Sequence, residues 1–203
     1  MKRNNFIILF LMIFCKQVIA QNFKAHIIAG VSTSQVSGDN LSGFHKAGVL
    51  MGGGLSLNAM KSGAIAIEIL FVQKGSQQSE DFTKGKQFYQ MSLNYAEVPL
   101  LYKFRMRNFT YEIGASFGSL ISSRVRDIYG VFPSGSIESR PFNKFETSAM
   151  FGLSYKIYNR FYANYRFTNS VLPIRKHYSG LTYRLNRGQY NTAMYFALRY
   201  EFE

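Results

Sequence analysis

The 203-residue sequence contains one cysteine, no tryptophan, four prolines and three histidines. It also lacks any run of 18 apolar residues, so no segment is long enough for a bilayer-spanning helix. The lone Cys15 falls in the N-terminal leader, and once that is removed disulfides, thiol nucleophiles and cysteine metal sites are all excluded. Three scattered histidines make no metal-ligand spacing. The glycine-rich stretch "MGGGLSLN" at Met51 precedes no helix and is no phosphate loop. No cofactor and no metal are expected. Acidic side chains are also scarce, 11 against 24 lysines and arginines.

The leader is "MKRNNFIILFLMIFCKQVIAQ": Lys2 and Arg3, an apolar run from Phe6 to Cys15, then Val18 and Ala20 ahead of Gln21. This is the pattern of a signal peptide, residues 1–20, with cleavage after Ala20 and a mature domain of residues 21–203. Met12, Ile13 and Phe14 are too bulky for a lipoprotein signal at Cys15. Removing Lys2, Arg3 and Lys16 from the 24 basic residues leaves 21 against 11 acids, a net charge of +10. For an exported chain the partners of such charge are anionic outer-membrane lipid and lipopolysaccharide, not nucleic acid.

The rest of the chain alternates. In "AIAIEILFVQKG", Ile65, Ile67, Ile69 and Phe71 share one face while Glu68 sits on the other. "FTYEIGASFGSL" sends Phe109, Tyr111, Ile113, Ala115 and Phe117 one way and Thr110, Glu112, Gly114, Ser116 and Gly118 the other. Eight such segments follow one another, each about a dozen residues long. The links after the second, fourth and sixth are short ("MKSG", "RMRN", "YNR"), and those after the odd-numbered segments are polar stretches of roughly 12 to 20 residues. Pro99 inside the fourth segment suggests a bulge. The pattern predicts an all-β fold: an eight-stranded antiparallel up-and-down transmembrane β-barrel of outer-membrane type, closed by a strand rich in aromatics up to Phe202. A soluble lipocalin-like barrel would instead turn its apolar faces inward around a ligand.

Four stretches, "GVSTSQVSGDNLSGFHKAGVLMGGGL", "EILFVQKG", "NYAEVPLLYKF" and the Tyr- and Phe-rich final segment, together resemble the PorT-like outer membrane β-barrel family. The resemblance runs over essentially the whole mature chain. It implies an outer-membrane location in a Gram-negative bacterium and dependence on the barrel-assembly machinery. The family's named member belongs to the type IX protein secretion apparatus, so envelope or secretion-system proteins are the partners it implies.

On the barrel reading Glu68, Glu97, Glu112, Glu146 and Glu201 face the lumen with Lys24, Lys103, Lys156, Arg166 and Arg199. A matched set of charges fills a closed interior, whereas unpaired ones would be costly there. Eight strands leave room for little more than side chains, so a plugged core is expected. His26 is read as a hydrogen-bonded lumen residue. The last long link offers Arg175, Lys176, Tyr178, Tyr183, Arg184 and Arg187 as a patch for phosphate, sugar or protein. His45 and His177, with Ser42 and Ser179 near them, fall in external links, but no nucleophile motif or paired acid accompanies either, and no enzyme is expected. The reading is a structural or binding component of the outer membrane, accessory to secretion; the alternatives are a narrow channel and a lipid-modifying enzyme.

Overall fold

The computed structural model describes residues 23–39, 41, 43–58, 62–80, 83, 85, 87–131, 141–176 and 188–202. The expected signal peptide and its cleavage after Ala20 lie outside the described residues. Nine strands follow in order: β1 (Phe23–Ser37), β2 (Lys46–Asn58), β3 (Gly63–Gln78), β4 (Tyr89–Met106), β5 (Phe109–Asp127), β6 (Gly130–Val131), β7 (Phe145–Tyr158), β8 (Phe161–Ser170) and β9 (Tyr190–Glu201). Eight of them close a barrel of sequential antiparallel neighbours, while the two-residue β6 pairs only with the end of β5. The first and last strands meet along a ladder from His26 opposite Glu201 to Ser37 opposite Tyr190. That ladder leaves the barrel with no open edge, which any sheet crossing lipid must achieve because lipid supplies no hydrogen-bond partners.

The apolar sets predicted from the alternation point outward. Ile69 is 69% exposed although it sits mid-strand, and Ile27, Met51, Leu100, Ile113, Phe151 and Leu198 are exposed around the same girth. On β4 this belt runs from Ala96 to Met106, about 34 Å along the strand and about 24 Å in height at a 45° tilt. Towards the two-residue turns the belt is rich in rings: Phe109 stacks on Tyr155 at 5.1 Å, Phe161 on Tyr200 at 5.0 Å, and Phe202 meets Tyr200 edge-on at 5.1 Å.

Three expectations need correction. The strands are longer than a dozen residues on one side of the barrel: β3 has 16, β4 has 18 and β5 has 19. They continue through stretches read above as loop, so the connection between β3 and β4 shrinks to residues 79–88, and β1, running to Ser37, leaves residues 38–45 before β2. Pro99 causes no bulge; it pairs in register with Ser116, and the ladder to β3 merely skips Val98 and Pro99. The bulge lies instead between Asn94 and Tyr95, where β5 accommodates Ile121 as an extra residue.

Inward glycines set the curvature. A Cβ added at Gly114 would lie 2.0 Å from the Leu100 carbonyl oxygen, and one at Gly52 2.1 Å from that of Ile69. At these two positions the neighbouring backbone has closed into the space a side chain would need. Gly114→Val is therefore expected to cost about 3 kcal/mol or prevent closure. The same change at its outward neighbour, Ala115→Val, is expected to leave folding intact. The measurement is migration of the unboiled protein on a denaturing gel, where a closed barrel runs faster than the boiled chain.

Candidate functional site

The lumen is built in layers. Because β-strand side chains alternate, every second residue of all eight barrel strands enters it, and the register decides which of them share a level. Nearest the two-residue turns is a layer of ions. Arg166 on β8 grips Glu68 on β3 with two nitrogens, Nη1 to Oε2 at 2.5 Å and Nη2 to Oε1 at 2.8 Å. Its Nε donates to Glu112 of β5 at 2.7 Å. Arg199 of β9 donates to the other oxygen of Glu112 at 2.8 Å and lies 3.3 Å from Glu201. Lys103 on β4 reaches Glu68 at 3.2 Å, and His26 Nε2 lies 3.0 Å from the same carboxylate. Asn164 and Ser154 donate to Glu112 at 3.2 and 3.1 Å.

Above this level, towards the long loops, Ile28, Leu50, Leu70, Leu101 and Met150 form an apolar layer. A second ion layer follows. Lys74 of β3 lies between Glu97 of β4 at 2.5 Å and Glu146 of β7 at 2.8 Å. Tyr195 and Ser116 donate to Glu97 at 3.1 and 3.3 Å; Ser148 and Asn191 donate to Glu146 at 2.7 and 2.6 Å. Val36, Met91, Leu93, Tyr95, Val125 and Ile174 cap the lumen at its loop end. Glu68 and Arg166 are 0% exposed, so they are wholly removed from water. A charge so placed is tolerable only when paired and hydrogen-bonded. This explains the carboxylate between Ile67 and Ile69: the isoleucines face out, and Glu68 meets Arg166, Lys103 and His26 inside.

The structure thus brings together Glu68, Glu97, Glu112, Glu146, Glu201, Lys103, Arg166 and Arg199, all buried. Lys24 is half-buried at the turn end, on the lumen-facing register. Lys156 is a correction: it shares the inward parity but lies so close to the β7–β8 turn that its side chain is exposed. Lys74 takes the place in the network that the sequence reading had given to Lys156. The available signal was parity, since Ala64, Ala66, Glu68, Leu70, Val72 and Lys74 alternate without a break.

Of the expected loop patch, Arg175 and Lys176 lie among the described residues. Arg175 is buried, with Nε donating to Gln189 at 2.7 Å and its guanidinium 4.6 Å from the Phe142 ring centre. It ties the last long link to the barrel and is not a free ligand for phosphate. Lys176 is exposed; Tyr178, Tyr183, Arg184 and Arg187 lie outside the described residues. His45 is exposed, and its expected companions Ser42, His177 and Ser179 also lie outside the described residues. Among the described residues no group of three His, Cys, Asp or Glu side chains is placed to hold a metal ion. At the loop end, burial raises the pKa of the Asp39 carboxyl and lowers that of the Lys46 ammonium. On the outer surface an apolar groove of about 540 Å³ is lined by Tyr102, Tyr111, Phe151 and Tyr165.

The model of the outer membrane protein beta-barrel domain family matches residues 6–202. The chain belongs to this family. As an outer-membrane barrel it turns its short connections to the periplasm and its long ones to the exterior. Among solved structures it is similar to Ail, the attachment invasion locus protein of Yersinia pestis, in complex with the heparin analogue sucrose octasulfate. The identity is 13% over 89% of this chain and 99% of that one, with a TM-score of 0.50. Neisserial surface protein A (NspA) is also similar, at 13% identity over 88% of this chain and 97% of that one, with a TM-score of 0.49. At such identity the likeness to Ail shows the fold. A comparison with curated proteins found no match.

Removing Arg166 would take a guanidinium partner from two buried carboxylates at once. Arg166→Met is expected to cost about 4 kcal/mol, and adding Glu68→Gln and Glu112→Gln to recover part of that loss. Lys156→Ala is expected to change stability by less than about 0.5 kcal/mol. Urea unfolding in lipid vesicles, followed by tyrosine fluorescence, measures all three.

Proposed function

We propose that this outer-membrane barrel is a structural or binding component of the envelope that does not conduct, and that its working surface is its external end. The observation that supports this reading most is the lumen itself: two ion layers, an apolar layer between them and an apolar cap fill the path through the barrel. A barrel whose interior is packed offers a partner only its rim and its loops. Polyanion binding by a barrel of this fold has a precedent in the sucrose octasulfate complex of Ail. The PorT-like stretches quoted above suggest the more specific assignment, an accessory of a type IX-like secretion apparatus. The assembly machinery, lipopolysaccharide and envelope proteins are the partners this reading calls for, and a signal peptide cleaved after Ala20 is the export route it requires.

The test is conductance. The purified barrel in a planar lipid bilayer is expected to show no stable current above that of the bare membrane, with Glu97→Gln giving the same trace. A steady current that disappears in Glu97→Gln would overturn the closed-barrel reading in favour of a narrow channel. Pull-down of the intact protein from its own envelope, read by mass spectrometry, separates the secretion assignment from a general structural one. Recovery of other secretion components is the result expected for the former.

A further inference from the structure

Strands β3, β4 and β5 extend beyond the apolar belt, and the outward face of this extension is unlike the rest of the barrel. Its register defines three rows of outward side chains, spaced about 7 Å apart along the strands. Nearest the membrane, Gln73 pairs with Asn94 and Asn94 with Ser122. The next row is Gly75, Ser92 and Arg124. The outermost is Gln77, Gln90 and Arg126. None of these nine positions is acidic. Just below them, Ile121 at the bulge is 61% exposed and marks the top of the belt.

The side chains on this face hold one another in place. Asn94 Nδ2 donates to Ser122 Oγ at 2.8 Å, Gln90 Nε2 to Gln77 Oε1 at 3.5 Å, and Arg126 Nη2 to Gln90 Oε1. In the middle row Gly75 is buried and adds no side chain, Ser92 is short and half-buried, and Arg124 stands exposed at the end, so the row is low at Ser92 between two rows of amides. Amides that both donate and accept suit sugar hydroxyls, and exposed guanidinium groups suit phosphate. Directly beneath lies a wall for acyl chains, continuous on the same strands through Ala96, Val98 and Phe117.

We propose that the outward face of the β3–β5 extension binds the phosphorylated saccharide head of an outer-leaflet glycolipid. The sugar lies across the Ser92 row, the phosphate meets Arg124 and Arg126, and the acyl chains run down the belt below. This rests on the reading that the external end is the working surface, and it names the partner of that surface. The occupant follows from the order of chemistry along the strands: tail-compatible, then sugar-compatible, then anion-compatible, in the sequence in which a phosphoglycolipid standing in the same leaflet presents its parts.

The experiment is native mass spectrometry of the full barrel in detergent, titrated with lipid A and with its dephosphorylated form. Wild type and the distant Lys156→Glu variant are expected to retain lipid A. Retention is expected to fall about tenfold or more in Arg124→Glu/Arg126→Glu, and for dephosphorylated lipid A on wild type. Ser92→Phe, which fills the low row without touching a charge, is expected to weaken retention as well. All three altered side chains lie on the outside, and faster migration of the unboiled protein verifies that each variant is folded. Equal retention by wild type and Arg124→Glu/Arg126→Glu, or by the two forms of lipid A, would overturn the proposal. Current through the wild-type barrel would instead sink the closed-lumen reading and leave this result untouched.

Discussion

Each carboxylate inside this barrel must be met by a cation, and the rest of the structure follows from that constraint. Eight strands enclose a space too narrow for bulk water, and lipid surrounds it on the outside. Carboxylates that enter such a space need partners at fixed distance. Arg166 supplies three of its nitrogens to two of them, and Lys74 bridges two more. The partners come from strands far apart in the chain, β3 with β8 and β3 with β7, so the charge pattern also specifies which strands must face one another.

Such pairs do not make the barrel more stable than an apolar filling would, since the cost of stripping water from the ions offsets much of their attraction. What they supply is register. A slip of one residue on any strand would turn its lumen set towards lipid and its lipid set inward. Because Glu68 or Arg166 in the hydrocarbon would be costly, the native register is separated from its neighbours by the same charges that fill it. The apolar layers between and above the ions add density, and the close approaches at Gly52 and Gly114 let the wall curve tightly enough for the side chains to meet.

A filled lumen shifts the interest of the molecule to its outside. The belt, with rings gathered towards the periplasmic turns, addresses the bilayer. The taller β3–β5 side carries a polar, cationic face where a shorter barrel would have ended at the membrane surface. Among the described residues, this wall therefore rises further beyond the belt than the β7–β8 side does.

Alternation by itself determined the class of fold, the lipid face and most of the lumen: the period of two is a local property, and Phe109–Gly118 or Ile65–Phe71 display it within a single segment. The alternating lengths of the connections likewise revealed which end carries the loops. What the chain did not display locally was where each strand stops and which inward residues share a level. Lys74 and Lys156 both fall on the inward parity of their strands. Only the register puts the first between two carboxylates and the second in water beside a turn. Arg175 looked like a loop cation until the barrel brought Gln189 and Phe142 against it. Facing is decided by the pleat of one strand, whereas depth and partnership are decided by how eight strands are staggered against one another. That stagger is a property of the closed barrel alone.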